Sequence, residues 1–300
     1  MASQRDVKTK IASVKNIQKI TRAMEMVAGA RLRRAEQRIE ALRPYAEALR
    51  RMTRQAALAA GAEAARVPLL REHESEQTVA LLLVTGDRGL AGAFNSQVIR
   101  AGLRLSRTLG DEGLQTSWYA SGRRGVSSLG FRGLDLKGSY EGFADRPSHG
   151  DARAISDDLI GAYMEGHIDR VEVVYNSYVS PLTQRVTVER LLPLSQAAIA
   201  GEDADGAELD PGASRATVDY EPEPEKILRR LVPDYVELSI YRALVESTAG
   251  FFGAQMTAMR SASENAGDII TEYTLQMNRA RQAEITQEIM EVVAGAEGLS

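Results

Sequence analysis

IASVKNIQKITRAMEMVAGARLRRAEQR, residues 11–38, decides how the chain begins to fold. Apolar side chains fall at Val7, Ile11, Val14, Ile17, Ile20, Met24 and Val27, in the steps of three or four that mark one face of a helix. Read outward, the helical pattern runs from Ser3 to about Leu58, with Gly29 and Pro44 as its only strong breakers. At ~1.5 Å per residue such a helix spans roughly 80 Å, too long for a compact domain unless it protrudes. Its apolar stripe is narrow, Lys and Arg flank it on both sides, and Ala dominates its later part. That suits a coiled-coil seam better than a helix of a globular core.

The other end of the chain mirrors this one. From about Pro233 to Ala294 no further proline occurs. Apolar and small residues there run through Leu238, Tyr241, Val245, Thr248, Phe252, Met256, Met259, Ala262, Ala266, Ile270, Tyr273, Met277 and Ala280. The spacing predicts about 60 helical residues, or roughly 90 Å. Two helices of matched length at opposite ends, neither apolar enough for a core of its own, invite antiparallel pairing.

Between them the texture changes. Thr78–Thr85 (TVALLLVT) is a short apolar run that ends at a glycine-rich turn, residues 86–92 (GDRGLAG). Helix is expected over Ala93–Leu109, Ser121–Leu129 and 151–165. Strand is expected over Leu114–Ala120, Leu134–Tyr140, Arg170–Val179 and Gln184–Leu192, the last two as a hairpin. The alternation predicts an open, largely parallel α/β sheet with an antiparallel edge added late. Residues 197–225 are acidic, aperiodic and bear Gly, Ala and Pro, and so read as a loop. The expected domains are an N-terminal helix over 1–58, a central α/β domain over 75–225 and a C-terminal helix over 233–295.

Composition narrows the function. The 300 residues include no cysteine, which excludes a disulfide scaffold, a thiolate metal site and a cysteine nucleophile. No stretch approaches a membrane-spanning run, and the charged start MASQRDVKTK lacks the apolar core of a secretory signal. A protein of a reducing compartment, or one facing it, is expected. The net charge of −4 hides an asymmetry: residues 1–60 hold 14 Lys and Arg against 5 Asp and Glu, while residues 201–225 hold nine acids and one Arg. A basic arm points to nucleic acid, anionic lipid or an acidic protein partner.

Motifs for chemistry are sparse. TGDRGLAG lies where doubly wound folds bind phosphate, yet it has neither the Lys-Ser/Thr of a P-loop nor the G-x-G-x-x-G spacing. A tight strand-to-helix connection accounts for it better than a nucleotide site. His73, His149 and His167 are scattered without metal-ligand spacing and read as exposed structural histidines. No G-x-S-x-G elbow presents a nucleophile. The basic run Arg31, Arg33, Arg34 and Arg38 reads as a solvated helix face or a contact for an acidic partner, since no nucleic-acid-reading element accompanies it.

Residues 11–38, GDRGLAGAFN (86–95) and SENAGDIITEYTLQMNRARQAEITQEIMEVVAGAE (263–297) closely resemble the gamma subunit of F-type ATP synthases. The similarity covers nearly the whole chain and weakens through 100–235; KITRAMEMVA and NRARQAEITQEIMEVVAGA are its most specific parts. The resemblance implies that the terminal helices form an antiparallel coiled coil, the central shaft inside a head of alpha and beta subunits. It places the α/β domain below, against epsilon and the membrane ring of c subunits. The implied function is rotary coupling of proton flow to the three beta sites, by a chain that is not itself an enzyme, has no cofactor, and neither binds nucleic acid nor inserts into lipid. The implied location is peripheral, at the cytoplasmic face of a bacterial plasma membrane.

Residue by residue, the resemblance implies head contacts at Met24, at Arg31, Arg33 and Arg34 facing acidic beta loops, and at Ala91 in a loop close to the lower beta lobes. It implies further head contacts at Arg281, Gln282, Thr286 and Glu288, and a foot on the c-ring at Tyr220 and Glu221. Gln255 stands where the family commonly has a basic residue, and Gly298 where it prefers a small or basic side chain. The acidic loop over 201–217 is longer than usual, and the regulatory cysteines of the chloroplast form are missing. Two other readings stay open at this point: an α/β enzyme binding nucleotide at TGDRGLAG, and a coiled-coil nucleic-acid tether.

Overall fold

A computed structural model describes residues 4–73, 75–194 and 223–297. The acidic stretch 197–225 therefore lies outside the described residues except for its last three. The chain divides into two compact units, Arg31–Ala254 and the pair Met1–Ala30 with Gln255–Ser300. The elements are α1 (Gln4–Ala60), β1 (Thr78–Val84), α2 (Phe94–Asp111), β2 (Gln115–Ser121), α3 (Arg123–Phe131), β3 (Leu136–Tyr140), α4 (His149–Met164), β4 (Arg170–Ser180), β5 (Thr183–Leu192) and α5 (Pro224–Glu297).

The Arg31–Ala254 unit is built on a five-stranded sheet in the order β3-β2-β1-β4-β5. Four strands are parallel, with Leu81 opposite Trp118 on one side and Glu172 on the other. β5 closes the edge antiparallel to β4, with Val174 opposite Val188. β1 sits in the middle, and its alternation sorts the core into two layers. Ala80, Leu82 and Val84 pack with Ile155, Leu159 and Tyr163 of α4 and with Leu228, Val232, Val236 and Ile240 of α5. Val79, Leu81 and Leu83 pack with Val98 and Leu109 of α2 and Leu129 of α3. Burial on both faces is why β1 reads as a continuous apolar run rather than an alternating one. Gly122, between β2 and α3, has φ 92°, and a Cβ there would lie 2.1 Å from the Thr85 carbonyl oxygen. No side chain could be placed at that crossing without moving backbone.

Several boundaries differ from expectation, most by one or two residues, and two of the shifts have a visible cause. α4 starts at His149 rather than 151, because Ser148 and Asp151 form a capping box: the Ser148 hydroxyl accepts from the Asp151 amide, and the Asp151 carboxylate accepts from the Ser148 amide at 2.8 Å. α5 starts at Pro224, nine residues before Pro233, the expected start. Proline inside a helix forfeits one backbone hydrogen bond, but Leu228 and Val232 are fully buried against the sheet. Their burial offsets that loss. α1 likewise runs unbroken through Gly29 and Pro44.

The edge hairpin is tied to α5 by charge. Arg242 pairs with Glu189 of β5, which also accepts from the Tyr175 hydroxyl. Glu246 accepts from the Ser177 hydroxyl at 2.8 Å. Burial is the largest influence on Arg242 and works against its charge, but Glu189, Tyr175, Glu246 and Tyr235 together outweigh it and hold the guanidinium protonated.

The Met1–Ala30 and Gln255–Ser300 unit is an antiparallel pair of helical segments. Lys10 Nζ sits 5.8 Å over the Tyr273 ring. Gln18 Nε2 donates to the Ser263 carbonyl at 3.2 Å, Arg260 pairs with Glu25 at 2.9 Å, and Gly29 faces the Met256 sulfur. The pairing and its direction agree with the sequence reading, but the seam on α1 agrees only in part: Val7, Ile11, Val14 and Met24 are covered as expected. The contact line runs through Val7, Ile11, Val14, Gln18, Thr21, Glu25 and Ala28, spaced alternately four and three, with Met24 half-buried beside it. Ile17, Ile20 and Val27, expected in the seam, are 51%, 58% and 53% exposed. The apolar stripe advances by 3, 3, 4 and 3 residues after Val14, which is slower than the 3.5 average of a coiled coil. It therefore drifts off the contact line while small and polar residues stay on it.

Candidate functional site

The glycine-rich turn follows β1 at the carboxyl ends of the parallel strands, next to the point where strand order reverses, the usual ligand crevice of such a sheet. Here the chain itself fills the crevice. A Cβ on Gly86 would meet the Phe251 ring of α5 at 2.9 Å. The remaining cavity, between Thr85, Gly86, Ser121, Leu244, Thr248 and Phe251, measures about 10 Å³, room for roughly one water.

The first backbone donor of the turn and the amino end of α3 are also taken. The Gly86 amide donates to the Asn95 side chain at 2.8 Å. The Asp87 carboxylate accepts from the amides of Arg123, Gly142 and Ala144, so a resident anion already occupies the amino end of α3. The turn is a structural joint, which weighs against the nucleotide-site reading.

The same turn bears on one expected contact. Ala91 is 2% exposed, so its side chain packs inward. Its neighbour Leu90, at φ 64°, is 63% exposed and is the residue the turn presents. Nothing in the string GLAG distinguishes the two; the positive φ does.

The basic run on α1 separates by helical angle. Arg31 pairs with Asp145 at 3.1 Å and lies 5.5 Å over the Phe252 ring. Arg34 and Arg38 line the same concavity, together with Arg146 from the connection before α4. Arg33 points away and is exposed. Arg88 also reaches Asp145, at 3.4 Å. Asp145 and Arg146 lie outside every recognisable motif, and Arg88, though inside the glycine-rich turn, carries no local sign of the partner it meets.

Within the helix-pair unit, Met24 and Gln255 are half-buried. Arg281, Gln282, Thr286 and Glu288 are exposed, and the Thr286 hydroxyl is spent on the Gln282 carbonyl of its own helix at 2.8 Å. From Arg281 to Ala294 every residue is exposed, including Ile285, Ile289, Met290, Val292 and Val293. Tyr220 and Glu221 lie outside the described residues.

His167 is exposed as expected, but His73 is not. It is largely covered, stacks on Tyr163 with ring centroids 4.6 Å apart, and contacts Asp169 at 2.7 Å. Burial by itself would raise the Asp169 carboxyl; the hydrogen bonds from His73 and from the amides of Thr78 and Gln77 together outweigh it and hold the group below its ordinary value. Among the described residues no cluster of acids and histidines could hold a metal, and no helix is long and apolar enough to cross a membrane.

A family model described as ATP synthase matches residues 3–299. The ATP synthase gamma chain of Rubrobacter xylanophilus is 45% identical over 300 residues, covering all of this chain and 99% of the relative. That of Streptomyces coelicolor is 41% identical over 303 residues, covering all of this chain and 97% of the relative. Among solved structures, the rotor of the Euglena gracilis mitochondrial ATP synthase aligns over 94% of this chain and 98% of its own, with TM-score 0.65 and 17% identity. The central stalk and c-ring structure of the Tetrahymena thermophila enzyme aligns over 81% of this chain and 99% of its own, with TM-score 0.57 and 24% identity. These structural likenesses bear on the fold.

Proposed function

The chain belongs to the ATP synthase gamma chain family, and from that premise we propose that it is the central rotor shaft of an F-type ATP synthase. In this reading it turns with a proton-driven c-ring and drives the three catalytic beta sites in sequence. It performs no bond chemistry of its own and works from the membrane periphery as part of the complex. Its partners are the alpha and beta subunits, epsilon and the c-ring.

The observation that carries this reading is the mismatch between apolarity and burial in the helix pair. Ile17, Ile20 and Val27 face out beside a seam of Gln18, Thr21 and Ala28. An isolated helix pair gains nothing from that arrangement, whereas a shaft enclosed by other subunits needs an outward apolar face that slides without binding tightly. The exposed residues from Arg281 to Ala294 have the same character. Head contacts belong to Met24, Arg31, Arg33, Arg34, Gln255, Arg281, Gln282, Thr286 and Glu288, and c-ring contacts to Tyr220 and Glu221. At the glycine-rich turn the contact passes from Ala91 to Leu90.

Rotation supplies the test. The chain has no cysteine, so Leu90→Cys introduces its sole thiol. Paired with a cysteine on a facing beta lobe it can form a disulfide if the two Cα atoms come within ~7 Å. A shaft bonded to one beta subunit cannot pass the other two. Oxidation is expected to stop sustained ATP hydrolysis by the complex, and reductant to restore it. Unchanged multisite turnover with the disulfide fully formed would sink the rotary reading.

A further inference from the structure

In the Arg31–Ala254 unit, a concavity of about 360 Å³ opens between α1 and the connection that precedes α4. Arg31, Arg34 and Arg38, at i, i+3 and i+7, bring three guanidiniums to one side of it, and Arg146 brings a fourth from across. Asp145 is the sole acid in the lining, and it is already shared between Arg31 and Arg88. Arg34, Arg38 and Arg146 make no side-chain hydrogen bond or ion pair among the described residues. The nearby Glu36 makes no ion pair with them among the described residues, and its carboxylate accepts from the Tyr178 hydroxyl.

Like charges one helical turn apart, as at Arg34 and Arg38, cost stability. Surfaces usually relieve such pairs by interspersing acids; this one concentrates bases around a hollow. We propose that the hollow is a binding site for a small inorganic oxyanion of the phosphate class. Guanidinium is the group best shaped to grip such an anion, through paired N–H donors in a fixed plane. The volume exceeds what a lone phosphate fills and leaves room for a diphosphate. A nucleoside is disfavoured because the one aromatic lining residue, Phe252, is 2% exposed and already lies under Arg31. A base would find no ring to stack on. The inference concerns the chain alone and does not rest on the shaft reading.

Titration calorimetry of the full chain with inorganic pyrophosphate at low ionic strength tests it. The expected result is saturable one-to-one binding that weakens as KCl is added. The double substitution Arg34→Ala with Arg38→Ala is expected to weaken binding about tenfold or more. Arg107→Ala, an exposed change on α2, should leave it unaltered. Fluorescence of the single tryptophan, Trp118, checks that each variant is folded. If the double variant is not, Arg146→Gln is titrated in its place, with the same loss expected. Absent or unsaturable binding, or an equal loss in Arg107→Ala, would overturn the site. Tighter binding of an oligoglutamate peptide than of pyrophosphate would overturn the assignment of ligand class in favour of an acidic protein partner.

Discussion

β1 is a continuous apolar run and the first seven turns of α1 carry a narrow apolar stripe, and the two units use them in opposite ways. In β1 every residue from Val79 to Val84 is buried, and each side chain meets one of two helical layers. In α1, Ile17, Ile20 and Val27 are more than half exposed, while Gln18, Thr21 and Ala28 form the contact line. In the sheet unit apolarity reports internal packing. In the helix pair it marks a face left for something else. Sequence hydrophobicity alone does not say which, because both patterns satisfy their own periodicity.

The largest expected effect tests the sheet side of this contrast. Leu82 is fully buried, so Leu82→Ala removes apolar contact and leaves a cavity, costing about 3 kcal/mol. Trp118 lies on β2 in the same unit and is buried, so its fluorescence in a urea titration reads that unit directly. A shift of less than about 1 kcal/mol would mean that β1 is not the packed centre. Next in size is Arg242→Met. It leaves Glu189 beside the Tyr175 hydroxyl without its counter-charge. Both partners keep 31% of their side-chain surface exposed, so about 2 kcal/mol is expected, less than for a fully buried pair.

A smaller effect depends on pH. The Asp169 carboxyl is held below its ordinary value of 3.8 in the folded chain. A group depressed on folding contributes its stability in full above the unfolded value, and loses it as pH falls through the folded one. Denaturation midpoints read by Trp118 should therefore fall as the solution is acidified below that range. Asp169→Asn should be less stable at neutral pH, with a flatter acid limb. An identical acid limb in the two proteins would remove Asp169 from the set of groups that stabilise the sheet unit.

The sheet was legible from sequence because burial on both faces makes β1 a run that only a central parallel strand explains, and because its turns punctuate every element. The helix pair was legible in direction and not in register. The seam is set by a 3.5-residue repeat whose occupants, Gln18, Thr21 and Ala28, carry little hydrophobic signal, while the eye follows Ile17, Ile20 and Val27. TGDRGLAG was read as a strand-to-helix connection and does join β1 to α2, yet which residue it presents depends on the backbone angle at Leu90. The clustering of Arg88, Asp145 and Arg146 with the α1 arginines depends on tertiary folding. Residues so far apart in sequence give no local sign of meeting.

The smallest expected effect is also the most discriminating, because it sets two adjacent residues against each other. The apolar stripe assigns the contact line to Ile20; the structure assigns it to Thr21, which is 9% exposed. A charge placed at Thr21 must lie in the seam and lose hydration, so Thr21→Glu should lower the thermal midpoint of the helical circular dichroism signal. Ile20→Glu places the same charge in solvent on the same helix, where surface substitutions stay within about 0.5 kcal/mol. Its midpoint should be unchanged. In the assembled complex the ranking reverses under the shaft reading: Ile20→Glu puts charge on the face the head encloses, so ATP-driven proton pumping should fall although the subunit itself is intact. If Ile20→Glu destabilises the isolated chain more than Thr21→Glu does, the exposed stripe is in fact the seam, and the contrast between the two units fails at its helical end.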